Sequence, residues 1–203
     1  MKLFYASGSP YARIIRVVLR ETGLDRRVPE EEVTLRDPNS ALLAYNPGGK
    51  VPALQLDDGT ILTESLLVLA YLDTQHGGRR LLPMDGSDGW KTLAETGRAY
   101  AFLDAVTVWN RELRFGLKAP GVVALETERA NRAADAFETA LGHGHYQGPV
   151  DAAQIVLGAA LENIARRHKV WDWRLGRPRV SAFLDEIAQR PSFTATVQPE
   201  LNL

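Results

Sequence analysis

Residues 46–65 read NPGGKVPALQLDDGTILTES, a succession of loop, strand, turn, strand and helix start. Val51–Leu56 is predicted to be a strand with a proline near its beginning, where a missing amide hydrogen is tolerated. Asp57–Thr60 is typical of a hairpin turn, and it leads into a further strand at Ile61 and Leu62. Because such a turn reverses the chain, we expect these two strands to pair antiparallel.

The residues on either side of this hairpin complete an α/β unit. Lys2–Tyr5 is a short, aromatic-rich alternating run, which predicts a strand, and the polar turn after it leads into a helix with Ser9 as its N-cap. The predicted elements of this βαβαββα unit are strands at 2–5, 28–35, 51–56 and 61–62 and helices at 11–22, 37–45 and 66–76. The basic residues of the first helix, which we expect to form a solvated or subunit-facing stripe, are Arg13, Arg16 and Arg20.

The second part of the chain is predicted to be all-α. Residues 78–87 are a polar connector and the best candidate for a domain boundary, so we expect domains at 1–77 and 88–203. The spacing of Asp151 and Gln154 resembles a capping box at the start of a helix, with an acid in place of the usual Ser or Thr. The predicted helices of this part are 90–116, 122–141, 152–168 and 179–189.

The composition narrows the classes of function. The 203 residues carry 24 Lys plus Arg against 25 Asp plus Glu, so no positive excess is available for a phosphate backbone and nucleic acid is not expected as a ligand. Apolar runs are far shorter than the roughly 20 residues that span a bilayer, and the N-terminal residues lack a signal h-region. We therefore expect a cytoplasmic protein without a membrane segment.

The absence of cysteine constrains the chemistry further. It excludes disulfides, thiolate metal sites and a cysteine nucleophile, so in any thiol reaction the sulfur belongs to a ligand. His143 and His145 lie in a glycine-containing loop with no third ligand at a fixed spacing. We therefore expect no metal site.

Several short motifs together resemble the cytosolic glutathione transferase family. SPYAR at 9–13 resembles the active-site turn and first helix of its bacterial, zeta-like and theta-like members, and NPGGKVPAL at 46–54 resembles the loop that ends in the cis-proline strand. Thr63–Ser65 resembles the turn that binds the γ-glutamyl group. In the helical part, residues 151–158 and 178–193 resemble the family's capping box and its last helix and tail. The resemblance implies a thioredoxin-like N-terminal domain, an all-α C-terminal domain and glutathione as co-substrate.

Because no cysteine is present, the resemblance implies that a serine hydroxyl, that of Ser9, acts on the sulfur. A thiol with a pKa near 8.5 is only about 3% ionised at pH 7, and the thiolate is the nucleophile. A charge-assisted hydrogen bond of about 1.5 to 3 kcal/mol would lower that pKa by roughly one to two units. The alternative is that Ser9 only caps the helix. Ser7 could replace Ser9 if the turn is shifted, whereas Tyr5 is expected in the core.

The same resemblance implies four further contacts with glutathione. A cis Val51–Pro52 bond would present the Val51 main chain to the cysteinyl backbone of the ligand. Ser65 suits the γ-glutamyl carboxylate and Glu64 the neighbouring ammonium group, while Lys50 could meet the glycyl carboxylate. The alternatives are that Glu64 and Ser65 only start a helix and that Lys50 is a solvated loop residue.

The resemblance also implies a second substrate, a small hydrophobic electrophile that binds against the long helix of the second domain. Most aromatic residues at helical spacing belong to a core, so this prediction has a plain structural alternative. The residues proposed for the electrophile pocket are Tyr11, Tyr100, Asp104 and Trp109.

The resemblance therefore predicts a homodimeric glutathione transferase. One alternative keeps the same site but isomerises, dehalogenates or reduces its substrate with glutathione. Another is a non-catalytic, transferase-like protein that binds a protein partner. Titration with glutathione distinguishes the last alternative from the other two.

Overall fold

The computed structural model describes residues 1–116 and 119–201 and divides the chain into two compact units. The first unit comprises Met1–Leu82 and Pro191–Pro199, and the second comprises Pro83–Arg190 with the residues after Pro199. The C-terminal segment thus packs with the α/β unit, whereas the sequence assigned all of 88–203 to the helical domain. The exact boundaries of the domains stay a prediction.

The first unit is built on a four-stranded mixed sheet in the order β2-β1-β3-β4. Strand β1 (Lys2–Tyr5) pairs in parallel with β2 (Glu30–Glu32) and antiparallel with β3 (Ala53–Gln55), and β3 pairs antiparallel with β4 (Ile61–Thr63). The hairpin predicted from residues 51–62 is therefore confirmed. The second strand is shorter than the predicted 28–35.

Two helices cover this sheet, α1 (Pro10–Glu21) and α2 (Ser65–Leu72). The apolar side chains of α1 lie at helical spacing and are fully buried, as the sequence pattern requires. In place of the predicted helix at 37–45, a 3-10 turn forms at Ala41–Ala44. The largest apolar side chains of this core, all fully buried or nearly so, are Leu3, Phe4, Ile14, Ile15, Leu19, Leu24, Leu42, Leu54 and Leu69.

The second unit is helical, as predicted. Its helices are α3 (Gly86–Arg114), α4 (Pro120–Gly142), α5 (Ala152–Arg167) and α6 (Pro178–Ile187). Helix α5 is buried along almost its whole length and packs mainly against α3.

Two carboxylates cap helices of the second unit. Asp151 accepts the amide hydrogen of Gln154 at 3.0 Å, which confirms Asp151 as the N-cap of α5. Glu138, on α4, accepts the amide hydrogens of Arg179 and Val180, each at 2.9 Å, at the start of α6. A side chain of α4 therefore accepts hydrogen bonds from amides at the start of α6 that have no acceptor within their own helix.

The short helix α7 (Pro191–Thr194) begins the C-terminal segment that packs on α1. Arg13 is only 1% exposed and donates to the carbonyl of Phe193 at 3.2 Å and to Oγ1 of Thr196 at 3.4 Å. The expectation of a solvated or subunit-facing stripe is therefore wrong for Arg13, because the C-terminal segment covers this face of the helix. Arg16 instead pairs with Glu30 at 2.8 Å.

The end of the first unit is held by Asp73, which directly follows α2. Its carboxylate, 2% exposed, accepts the amide hydrogens of Leu81 at 2.7 Å and Leu82 at 3.1 Å. The ring of His76 lies 3.1 Å from the same carboxylate. Asp73 therefore fixes the backbone at Leu81 and Leu82, where the chain leaves the first unit. Across the described residues, no helix combines the length and hydrophobicity that crossing a membrane requires.

Candidate functional site

The three motifs that the sequence singled out lie together at one edge of the sheet, the edge formed by the ends of β1, β3 and β4. Phe4 of β1 pairs with Ala53 of β3, and Ala53 pairs with Thr63 of β4. Because β3 runs against its two neighbours, the residues after β1, before β3 and after β4 lie at the same edge. Neighbouring strands are about 4.8 Å apart, so the three segments span roughly 10 Å.

The turn after β1 ends at Ser9, whose amide hydrogen is donated to the carbonyl of Ala6 at 2.9 Å. Ser9 is the N-cap of α1, and its Oγ accepts the amide hydrogen of Ala12 at 3.2 Å. This confirms the predicted cap. A hydroxyl has two lone pairs and one hydrogen, and the cap uses a lone pair, so the cap leaves the hydrogen to be donated. The helix N-terminus behind Ser9 favours a negative charge.

Ser7, the alternative hydroxyl, is bound to Glu32 at the end of β2. The amide hydrogen of Ser7 is donated to Oε1 of Glu32 at 3.0 Å. Hydrogen bonds from the hydroxyl and the amide of Ser7 hold the pKa of the Glu32 carboxyl below its ordinary value of 4.5. Sequence analysis missed Glu32. The run Glu30–Glu32 was the available signal, but it does not reveal which glutamate lies beside the turn.

The segment before β3 contains the cis peptide bond predicted between Val51 and Pro52. Both residues are buried. The loop before them is ordered by Asn46, whose Nδ2 donates to the carbonyl of Lys50 at 2.8 Å and whose Oδ1 accepts the amide hydrogen of Gly48 at 3.1 Å. The Lys50 side chain is exposed.

The segment after β4 carries an unusual backbone conformation at Glu64. Its φ is 64°, in the left-handed region that residues other than glycine rarely occupy, and strained residues of this kind cluster at functional sites. Glu64 is exposed, whereas Ser65, the first residue of α2, is 5% exposed. The turn therefore presents a carboxylate and a helix start at the same edge as Ser9.

The residues proposed for the electrophile pocket are placed on two helices. Tyr11 lies on α1 and is half-buried. On α3, Tyr100 is half-buried and the exposed Asp104 lines a cavity of about 580 Å³ between α3 and α4. Trp109 is 6% exposed and packs against the ring of His168 at 4.2 Å, in the interior of the second unit. A role for these residues in binding the electrophile stays a prediction.

The histidines outside the core do not form a metal centre within residues 1–116 and 119–201, where no group of three His, Asp or Glu side chains is arranged to hold an ion. His145 contacts the carboxylate of Glu95, and His143 is exposed. Both histidines lie shortly after α4.

The architecture and the site define a thioredoxin-like domain followed by a helical domain. The family model described as "Glutathione S-transferase, N-terminal domain" matches residues 3–80. A glutathione S-transferase of Pseudomonas putida is 31% identical over 160 residues, which cover 77% of this chain and 69% of that one. The chain belongs to the glutathione S-transferase family.

Two further similarities extend over the whole chain. A crystal structure of a glutathione transferase family member from Pseudomonas fluorescens Pf-5, with bound S-(propanoic acid)-glutathione, is 36% identical. It covers 98% of this chain and 100% of its own, with a TM-score of 0.86. The uncharacterized GST-like protein YibF of Escherichia coli is 24% identical over 203 residues, covering 98% of this chain and 100% of YibF.

Proposed function

We propose that this protein is a glutathione S-transferase that joins the sulfur of glutathione to a small hydrophobic electrophile. The observation that carries the proposal is the placement of Ser9, Val51–Pro52 and Glu64–Ser65 at one edge of the sheet. An extended tripeptide is about 10 Å long at roughly 3.3 Å per residue, which matches the span of that edge. The glutathione derivative bound to the 36% identical relative supports the same choice.

Each end of the tripeptide has a partner of suitable chemistry. The buried Val51 offers its main chain to the cysteinyl backbone of glutathione, as an added strand would use it. Ser65, at the start of α2, binds the γ-glutamyl carboxylate, and the exposed Glu64 binds the neighbouring ammonium group. Lys50 binds the glycyl carboxylate. In this arrangement the sulfur lies against the N-terminus of α1.

Ser9 is proposed to donate its hydroxyl hydrogen to the sulfur and so to stabilise the thiolate. Its other interaction, with the amide of Ala12, orients the hydroxyl oxygen and does not consume that hydrogen. The thiol proton passes to solvent, the thiolate attacks the electrophilic carbon, and in a substitution the leaving group departs with the bonding electron pair. No protein base is needed, because the hydrogen bond stabilises the charge and does not remove the proton.

The same proposal includes assembly as a homodimer, a cytoplasmic location and a pocket for the electrophile. Whether the reaction is conjugation, isomerisation or reduction is decided with a panel of substrates. The panel contains a chlorodinitrobenzene for conjugation, a cis-trans isomerisable dienone acid, and a mixed disulfide whose two sulfurs both come from the substrates.

Calorimetric titration with glutathione and conjugation to a chlorodinitrobenzene test the proposal. Ser9→Ala is expected to lower turnover about tenfold or more, because one to two units of thiol pKa are lost, while affinity changes little. Ser7→Ala is the matched control, since it removes a hydroxyl from the same turn. An absence of binding at millimolar glutathione would contradict the proposal.

A further inference from the structure

The turn between β1 and α1 carries two hydroxyls, and the structure distinguishes them. Oγ of Ser9 accepts from the first turn of α1, whereas Ser7 is bound to Glu32 through its amide. The turn is therefore bound to β2 at Ser7 and to α1 at Ser9.

We propose that Glu32 is a positioning residue of the glutathione site: its carboxylate accepts the amide hydrogen of Ser7 and so holds the Ala6–Ser9 turn in the conformation that presents the Ser9 hydroxyl to the sulfur. This inference rests on the proposed function, because it assumes that the sulfur lies at the start of α1. Glu32 acts through the turn and does not touch the sulfur.

The backbone around Glu32 is fixed by its pairing with β1. Glu32 is in register with Tyr5 in the parallel pair of β1 and β2, and the next amide, that of Val33, donates to the carbonyl of Tyr5 at 2.8 Å. The Glu32 carboxylate then meets the amide of Ser7 two residues beyond Tyr5. The side chain of Glu32 thus connects the turn to β2, in addition to the bonds that Ser9 makes to Ala6 and Ala12.

If Glu32 affected the sulfur only through its negative charge, the effect on the thiolate would be opposite to that of holding the turn. A carboxylate near a thiolate disfavours the thiolate, although the guanidinium of Arg16 also lies close enough to Glu32 to lower its pKa. If Glu32 acted only as a charge, its removal would raise the thiolate fraction and the rate at low pH. If it acts by holding the turn, its removal lowers both. The sign of the effect therefore separates the two roles.

Three variants measure this effect. Glu32→Ala removes the anchor and is expected to lower kcat about fivefold to tenfold and to move the pH midpoint of kcat/KM upward, with the Kd of glutathione changed less than about threefold. Glu32→Gln keeps an acceptor for the amide of Ser7 and is expected to recover most of the rate. Ser7→Ala, which keeps that amide, is expected to stay within about twofold of the original enzyme.

The deciding experiment is a double-mutant cycle with Ser9→Ala. Groups that act as a unit have strongly non-additive effects, so Glu32→Ala should cause little further loss of kcat once Ser9 has been replaced. The inference is overturned if the losses of kcat are additive in the double variant, or if Glu32→Gln and Glu32→Ala both raise the rate. It is also overturned if Ser7→Ala loses as much kcat as Ser9→Ala.

The cycle also separates this inference from the proposed function. If the original protein binds no glutathione, or if Ser9→Ala leaves turnover unchanged, the proposed function fails and the role of Glu32 fails with it. If Ser9→Ala is impaired but Glu32→Ala behaves additively, only the role of Glu32 fails. Hydrogen exchange of residues 7–9 provides an independent measurement, because exchange there should be faster in Glu32→Ala.

Discussion

The replacement His168→Leu should make the second unit less sensitive to acid. His168 directly follows α5, is 1% exposed, and contacts the ring of Trp109 at 4.2 Å. Neither ring nitrogen has a hydrogen-bond partner in another described residue. Burial lowers the pKa of the imidazole from 6.5 to about 4. The folded protein therefore holds this side chain neutral where an unfolded chain would protonate it.

The magnitude follows from the two pKa values. As the pH falls below 6.5 the unfolded chain binds a proton that the folded protein does not bind, so stability is lost between 6.5 and about 4. At about 1.36 kcal/mol per unit of pKa, the full loss is about 3 kcal/mol, of which about 2 kcal/mol has occurred at pH 5. Above pH 7 this histidine contributes almost nothing to the pH dependence.

Urea denaturation followed by tryptophan fluorescence measures this loss. The chain has four tryptophans, at positions 90, 109, 171 and 173, and all lie in the second unit. Between pH 7.5 and pH 5 the original protein should lose about 2 kcal/mol more than His168→Leu, because the leucine cannot titrate.

The matched control is His143→Leu, which removes an exposed histidine and should keep the pH dependence of the original protein. Apart from the two replaced histidines, the titrating groups are common to all three proteins, so a smaller loss of stability in His168→Leu alone isolates His168. At pH 7.5 His168→Leu should lie within about 1 kcal/mol of the original, because no hydrogen bond to another residue is lost. An equal loss of stability on acidification in the original protein and His168→Leu would refute the reasoning.

Three further changes test contacts that hold the two units in shape. Asp73→Ala leaves two buried amides without their acceptor, so stability should fall by about 2 to 4 kcal/mol and trypsin should cut faster after Arg79, whereas Asp73→Asn should lose less. Arg13→Met should speed hydrogen exchange in the C-terminal segment, measured by mass spectrometry, and Arg16→Met should leave that exchange unchanged. Glu138→Ala should lower the urea midpoint of the second unit, since removing a helix cap costs about 1 kcal/mol; an unchanged midpoint would show that the cap contributes nothing.

The parts of the fold that follow from local sequence were predictable. The turn at 57–60 and the cap at Ser9 depend on residues that are close along the chain, and the hairpin and the helix start form as expected. The second strand was predicted over 28–35, yet only Glu30–Glu32 joins the ladder. Val28 and Val33 flank this strand and are buried, so their hydrophobicity reflects packing, although the amide of Val33 still donates to the carbonyl of Tyr5.

The parts of the site that depend on distant contacts were not predictable from one sequence. Ser7 and Glu32 are 25 positions apart, and Arg13 reaches a carbonyl 180 positions away. No local pattern distinguishes Glu32 from the two glutamates before it, because only the register of β1 with β2 places it beside the turn. Likewise, a buried Arg13 is indistinguishable in sequence from a solvated one until the C-terminal segment is placed on α1.

The pKa of the glutathione thiol in the binary complex tests the central claim most directly. It is measured from the ultraviolet absorbance of the thiolate as a function of pH, for the original protein and for Ser9→Ala. The account predicts a bound thiol about one to two units below the free value near 8.5, and a value close to the free one in Ser9→Ala. A bound thiol that titrates like free glutathione, or one that Ser9→Ala leaves unchanged, would contradict it.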